Sequence, residues 1–143
     1  MVGWNTSRRC DVGNIYGGST PKTPVDQTSV ARSLNTAVQV SATRDAMVTY
    51  SVRITVTASI TGGQNGDVQL QIASDAGFTQ DVQTISMQGN GQTYTLAIAL
   101  QGVQPGTAIV SGMVPAGYYV KIVTVNNTGT PAFSYRSGQE ALM

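Results

Sequence analysis

Strong alternation of apolar and polar residues over positions 47–60 constrains this chain more than any other feature of its sequence. Successive side chains of an extended strand point to opposite faces, so a period of two predicts a long β-strand with one buried face. The polar side of this run comprises Thr49, Ser51, Arg53, Thr55, Thr57 and Ser59. The apolar, inward side comprises Val48, Tyr50, Val52, Ile54, Val56, Ala58 and Ile60.

Shorter runs of the same kind follow along the chain, separated by turns rich in glycine, proline and asparagine, and none carries a helical stripe. About eight short strands at this spacing predict an all-β fold, an antiparallel β-sandwich or jelly roll, over residues 33–143. Asn65-Gly66 and Asn90-Gly91 are the strongest turn signals. The predicted strands are 38–42, 47–60, 68–73, 82–87, 94–100, 108–114, 118–125 and 132–136, with a further short one at 140–142.

Residues 1–32 differ from the rest because they are rich in glycine and proline and show no period of 2 or 3.6. Such a stretch cannot close a core of its own, yet it holds large apolar residues that a solvated tail rarely carries. We therefore predict an extended N-terminal arm that becomes ordered against a neighbouring subunit during docking and assembly. Its candidate contact residues are Trp4, Arg8, Arg9, Ile15 and Tyr16.

The composition excludes several classes of partner. Charged residues make up 10% of the 143 residues, against a usual ~25%, and the formal net charge is +1. This balance provides no basic field for nucleic acid. No apolar run approaches the ~18 residues of a membrane span and no signal peptide is evident, so we expect a soluble intracellular product without membrane insertion. Cys10 is the single cysteine, which excludes an intrachain disulfide.

The sequence also offers little for catalysis. It contains no histidine, which excludes Ser-His-Asp and Cys-His arrangements and histidine metal sites. Its seven carboxylates are scattered singly, and Asp45, Asp67 and Asp75 are typical of turn residues that accept backbone N–H bonds. Residues 62–67 suit a hairpin loop better than a phosphate or calcium loop. We predict no enzymatic activity, cofactor or metal.

The chain stays apolar and β-prone to its last residue. We therefore predict that the C-terminus is packed against a protein surface, such as another copy of the same chain, and does not extend into solvent. Glu140 is the single glutamate, and an isolated acid in a half-buried strand needs a partner. Arg136, Arg53 or Lys121 could supply the cation, across a subunit boundary. The candidate oligomer seam is Arg136, Glu140, Leu142 and Met143.

Four phrases, at residues 44–52, 68–78, 114–122 and 138–142, resemble small structural proteins of tailed bacteriophages and prophages that carry a C-terminal β-sandwich. The resemblance covers about residues 33–143, and its most specific part is the C-terminal phrase, which runs from Val114–Ile122 through Gly138–Leu142. It implies a virion structural protein that is made in the host cytoplasm. It also implies that three copies pack as a homotrimer and that this homotrimer contacts other virion proteins.

Two virion roles and one enzymatic role compete. A tail-associated fibre or tip protein would dock through its arm and display polar loops to a host-surface glycan or protein. A capsid decoration protein would clamp neighbouring shell subunits. A carbohydrate-active enzyme is disfavoured because no carboxylate pair is evident. We favour the tail role, with candidate host-contact loop residues Gln64, Asn65, Asp67, Asn90 and Gln92.

Overall fold

The computed structural model describes residues 27–56, 63–92 and 106–143. Within these ranges every regular element is a strand. The predicted strand 94–100, Cys10 and the arm residues Trp4, Arg8, Arg9, Ile15 and Tyr16 lie outside them. The strands are β1 Gln27–Ser29, β2 Val38–Gln39, β3 Ala46–Thr55, β4 Gln64–Ala73, β5 Gln83–Gln92, β6 Gly106–Val114, β7 Tyr119–Thr128 and β8 Ala132–Leu142.

The strands form two four-stranded antiparallel sheets, which confirms the predicted all-β sandwich. Sheet 1 has the order β1-β8-β3-β6, and sheet 2 has the order β2-β7-β4-β5. The edge strands β5 and β6 belong to different sheets, but side chains join them. The backbone N–H groups of Ile109 and Ser111 donate to the side chains of Gln88 and Ser86. One side of the sandwich is thereby closed.

The core lies between the sheets and follows the alternation of the sequence. In β3 the apolar side chains other than Met47 are buried, and the intervening side chains are half-buried or exposed. Tyr50, Ile54 and Leu70 are the largest fully buried side chains. The predicted inward face of residues 47–60 is therefore confirmed as far as Val56, where this described range ends.

The N-terminal end of the sandwich lies earlier than residue 33. Strand β1 pairs with β8, with Gln27 opposite Ala141 and Ser29 opposite Gln139. The N–H of Val30 then donates to the carbonyl oxygen of Gly138 over 3.1 Å. Residues 27–32, which the sequence places in the arm, are part of sheet 1 or packed against it.

The C-terminal strand is longer than predicted and packs within its own chain. Residues 132–142 form one strand with a bulge at Arg136, because Ser51 lies opposite Ser137 whereas Val52 lies opposite Tyr135. This strand lies between β1 and β3, and Met143 N–H donates to the carbonyl oxygen of Asp45. The apolar end of the chain is therefore covered by the sandwich itself.

Two predicted turns are wrong. Asn65-Gly66 lies inside β4 and Asn90-Gly91 lies inside β5, where the two pairs face each other across the ladder. Gly66 is needed for a close approach, since a Cβ atom there would stand 2.6 Å from the Phe133 ring and 2.8 Å from the carbonyl oxygen of Val125. By contrast, the predicted turn role of Asp75 is confirmed, because its carboxylate accepts from the backbone N–H groups of Thr79 and Gln80.

Candidate functional site

A buried carboxylate anchors the N-terminal side of sheet 1. Glu140 is 6% exposed, and its two oxygens accept from Arg32 Nε at 2.8 Å and Arg32 NH2 at 2.7 Å. The Tyr50 hydroxyl donates to the same carboxylate over 2.6 Å. Burial, followed by the hydrogen bond to Glu140, raises the pKa of Tyr50 well above its ordinary range, and the hydrogen bond to Glu140 raises the pKa of Arg32.

The predicted ion pair of Glu140 is confirmed, but its predicted partners are wrong. Arg136 is exposed at the bulge, and Arg53 stands on the outward side of β3. Lys121 lies over the Phe78 ring, 3.9 Å from its centroid, on the outside of sheet 2. Arg32, which the sequence assigns to the arm, comes from 108 residues away in the same chain and provides the charge.

This network holds β1 in place. The Tyr135 hydroxyl donates to the carbonyl oxygen of Val30 over 2.6 Å, and the ring of Tyr135 lies against that of Tyr50 with centroids 6.5 Å apart. Arg32 and Val30 are thus both bound to the sandwich through side chains of β3 and β8. Ser29, at the end of β1, is thereby fixed on the outer face of sheet 1.

The outer face of sheet 1 carries small polar side chains and Ile109 at its centre, and apolar side chains at the end where Met47 and Met113 lie. Met47 and Met113 lie directly opposite each other on β3 and β6, and Ala141 lies next to Met47 on β8. Met47, Ile109 and Met113 are 42%, 57% and 50% exposed. We name this surface the sheet 1 face and define it by Ser29, Met47, Thr49, Ser51, Arg53, Thr107, Ile109, Ser111, Met113, Ser134, Ser137, Gln139 and Ala141.

A groove of about 330 Å³ opens at the centre of the sheet 1 face. Serine and threonine side chains are short, so the middle of the face is lower than its apolar end. The groove lining offers hydroxyl and amide groups that can donate and accept hydrogen bonds. Its lining residues are Ser29, Thr49, Ser51, Ile109, Ser137, Gly138 and Gln139.

The candidate host-contact residues come together on the backbone, but in strands and not in loops. Gln64 lies opposite Gln92, and Gly66 lies opposite Asn90. The candidate residues of β4 and those of β5 therefore occupy the same end of this strand pair. Gln64, Asn65, Asp67 and Asn90 are half-buried there. Asp67 accepts from Asn127 Nδ2 over 2.6 Å, so the predicted turn role of Asp67 is wrong.

The candidate seam residues do not form one outward surface. Glu140 is buried, and Leu142 packs against the core of its own chain. Arg44 donates to the carbonyl oxygens of Leu142 and Met143, whereas Arg136 is exposed. Sequence reasoning missed the sheet 1 face, although the exposed Met47 and Met113 occupy polar-side positions of alternating strands and could have marked it.

Across residues 27–56, 63–92 and 106–143, no three histidine, cysteine, aspartate or glutamate side chains are grouped so as to hold a metal ion. In the same ranges no helix is long and apolar enough to cross a membrane.

Comparison with known proteins gives a viral relative. The chain is 34% identical over 121 residues to "Uncharacterized protein 443R" of Invertebrate iridescent virus 6. This chain is similar to part of a viral protein. The match covers 80% of this chain but 5% of the relative, so the chain spans a small fraction of that protein. No protein-family model matches, and no solved structure matches. The relative supports a viral connection but not the specific resemblance to tailed bacteriophages.

Proposed function

We propose that this chain is a non-enzymatic structural component of a virus particle, acting through surface contacts. The sheet 1 face is the observation that carries the contact role, because it exposes methionine, isoleucine and hydroxyl side chains on a rigid sheet. The viral relative supports the connection to a virus. The groove in this face offers hydrogen bonds without an acid or base, which fits binding better than catalysis.

Within that role we propose a tail-associated fibre or tip component. Residues before β1 would dock the sandwich on the particle, and the sandwich would contact a host-surface glycan or protein. The candidate contact residues Gln64, Asn65 and Asn90 lie at one end of the β4–β5 pair, with Gln64 and Asn90 on the side of the sheet that carries Gly66 and Asn65 on the opposite side. Their amide groups have the hydrogen-bonding chemistry that sugar hydroxyls or peptide groups would require.

The alternative role is that of a capsid decoration protein. One observation favours it: the sheet 1 face is nearly free of charge and exposes apolar side chains, which suits packing against a neighbouring protein subunit. A decoration protein needs such contacts with the shell, whereas a tail tip needs them only where it docks.

Immunogold labelling of purified particles tests both roles. Antibody fragments raised against the sandwich should place gold at the tail in the proposed role. Gold spread over the head would favour decoration and overturn the tail assignment. Absence of the protein from purified, infectious particles, measured by mass spectrometry, would overturn the structural role itself.

A further inference from the structure

We propose that the sheet 1 face is an interface between two copies of this chain, which pack face to face about a two-fold axis. The proposal does not depend on where the chain lies in a particle. It replaces the predicted seam at the C-terminus with a surface whose side chains point away from the core.

The first argument is the placement of exposed apolar side chains. Five large apolar residues of the described ranges are strongly exposed, namely Met47, Val82, Met87, Ile109 and Met113. Three of them belong to the sheet 1 face, and two of these are direct cross-strand neighbours. Apolar side chains collected on one side of a soluble domain mark an interaction site, and methionine is enriched at interface cores.

The second argument is charge and ring chemistry. Among the outward positions described on β3, β6 and β8, the charged side chains are Arg53 and the bulge residue Arg136, both remote from the Met47–Met113 end. Two such faces can meet without strong like-charge repulsion. Phe133 and Tyr135 lie opposite Ile54 and Val52, which are inward positions, so these strands present no outward ring on which a sugar could stack.

The third argument is shape. The groove gives the face a hollow of about 330 Å³, and Ile109 and Met113 give it protrusions. A surface that has both a hollow and protrusions can pair with itself, because each contact occurs twice about a two-fold axis. Apolar side chains of one copy can therefore enter the groove of the other.

The fourth argument is area. Three strands of about ten residues and the three-residue β1 cover about 500 Å² per copy. Two copies would bury on the order of 1,000 Å², which is about the minimum for a specific interface and typical of weak ones. We therefore expect a reversible dimer with a dissociation constant on the order of micromolar.

Sedimentation velocity of the full chain over a concentration series tests the proposal. The wild-type chain should pass from monomer to dimer as its concentration rises. Met113→Lys should weaken dimerisation at least tenfold. Met87→Lys is the matched control. It makes the same change in charge, but Met87 lies in a strand of sheet 2, where it is 62% exposed. It should leave the dissociation constant unchanged.

Ser51→Arg provides a second variant, which fills the groove without touching the core. A denaturation midpoint close to that of the wild type shows that either variant is folded. A chain that stays monomeric at all concentrations would overturn the proposal. A dimer or trimer that tolerates both variants, or that is lost in Met87→Lys, would overturn it too. The labelling of particles does not depend on whether the chain dimerises. A failure of the dimer proposal can therefore be told apart from a failure of the proposed function.

Discussion

Single residues fix the N-terminal side of the sandwich. Glu140 accepts two hydrogen bonds from Arg32 and one from Tyr50, and all three side chains lie between β1, β3 and β8. A carboxylate that is 6% exposed is stable only with such partners, because burying an unpaired charge is strongly unfavourable. The pair therefore ties residues before β2 to the end of the chain.

Removing the cation should destabilise the fold more than the loss of an ordinary surface charge. Arg32→Met leaves Glu140 buried without its cation, and we expect the free energy of unfolding to fall by about 3 kcal/mol. Arg136→Met, at an exposed site of β8, should change it by no more than about 0.5 kcal/mol. Urea denaturation measures both, and equal midpoints for the two variants would contradict the structural role of the pair.

Tyr50 should make the fold sensitive to alkaline pH. Its pKa is raised on folding, so its contribution to stability is complete below its ordinary value of 10.0 and is lost progressively as the pH rises above that value. We expect the denaturation midpoint to fall from about pH 10 upward. Tyr50→Phe should be less stable at pH 8, because Glu140 loses a donor, but its midpoint should depend less on pH above 10.

The same pH series on Tyr135→Phe provides the comparison. Burial raises the pKa of Tyr135 as well, but its hydroxyl donates to a backbone oxygen and the residue is only half-buried. Its replacement should flatten the alkaline slope less than Tyr50→Phe. An unchanged slope in Tyr50→Phe would show that Tyr50 does not retain its proton in the folded chain.

At the scale of elements, β4 depends on a close approach between strands and the loop before β8. Gly66 is buried where Phe133, Pro131 and the carbonyl oxygen of Val125 converge. The ladder continues through this point, so Gln64–Ala73 is one strand of ten residues and not a loop followed by a short strand. A missing side chain, and not a turn, is what the position requires.

Gly66→Ala should therefore destabilise the sandwich by about 1–3 kcal/mol, since its Cβ would meet the Phe133 ring and backbone atoms that cannot move freely. Gly77→Ala is the control, because Gly77 is exposed and the atom nearest to its added Cβ is an oxygen at the end of the half-buried Asp75 side chain. Thermal denaturation of both variants gives the comparison. A smaller loss for Gly66→Ala than for Gly77→Ala would contradict the close approach.

At the scale of the whole molecule, the sandwich presents two outer faces of different chemistry. Sheet 2 carries Lys121 over Phe78 and the hydrogen-bonded pair of Asp67 and Asn127. The sheet 1 face is nearly neutral and has its groove at the centre. A particle component with such faces can use one for contacts between copies and leave the other for a different partner.

Truncation separates folding from docking at this scale. Removing residues 1–26 keeps β1 and Arg32, so we expect an unchanged denaturation midpoint but loss of incorporation into particles. Removing residues 1–32 deletes β1 and leaves Glu140 without its cation, so the midpoint should fall as well. Western blots of purified particles measure incorporation. Normal occupancy by the shorter truncation would refute the docking role of the arm.

Alternation with a period of two was enough to predict the all-β class and the inward face of β3, because it fixes which side chains share a face, whatever the strand's neighbours are. The single glutamate likewise predicted a partner for Glu140, because the burial of a lone acid is unfavourable without one. Packing between distant strands made Arg32 that partner, placed Gly66 within a strand, and brought Met47 and Met113 together on one surface. These are contacts between residues far apart in the chain, and only the pairing and packing of strands bring such residues together.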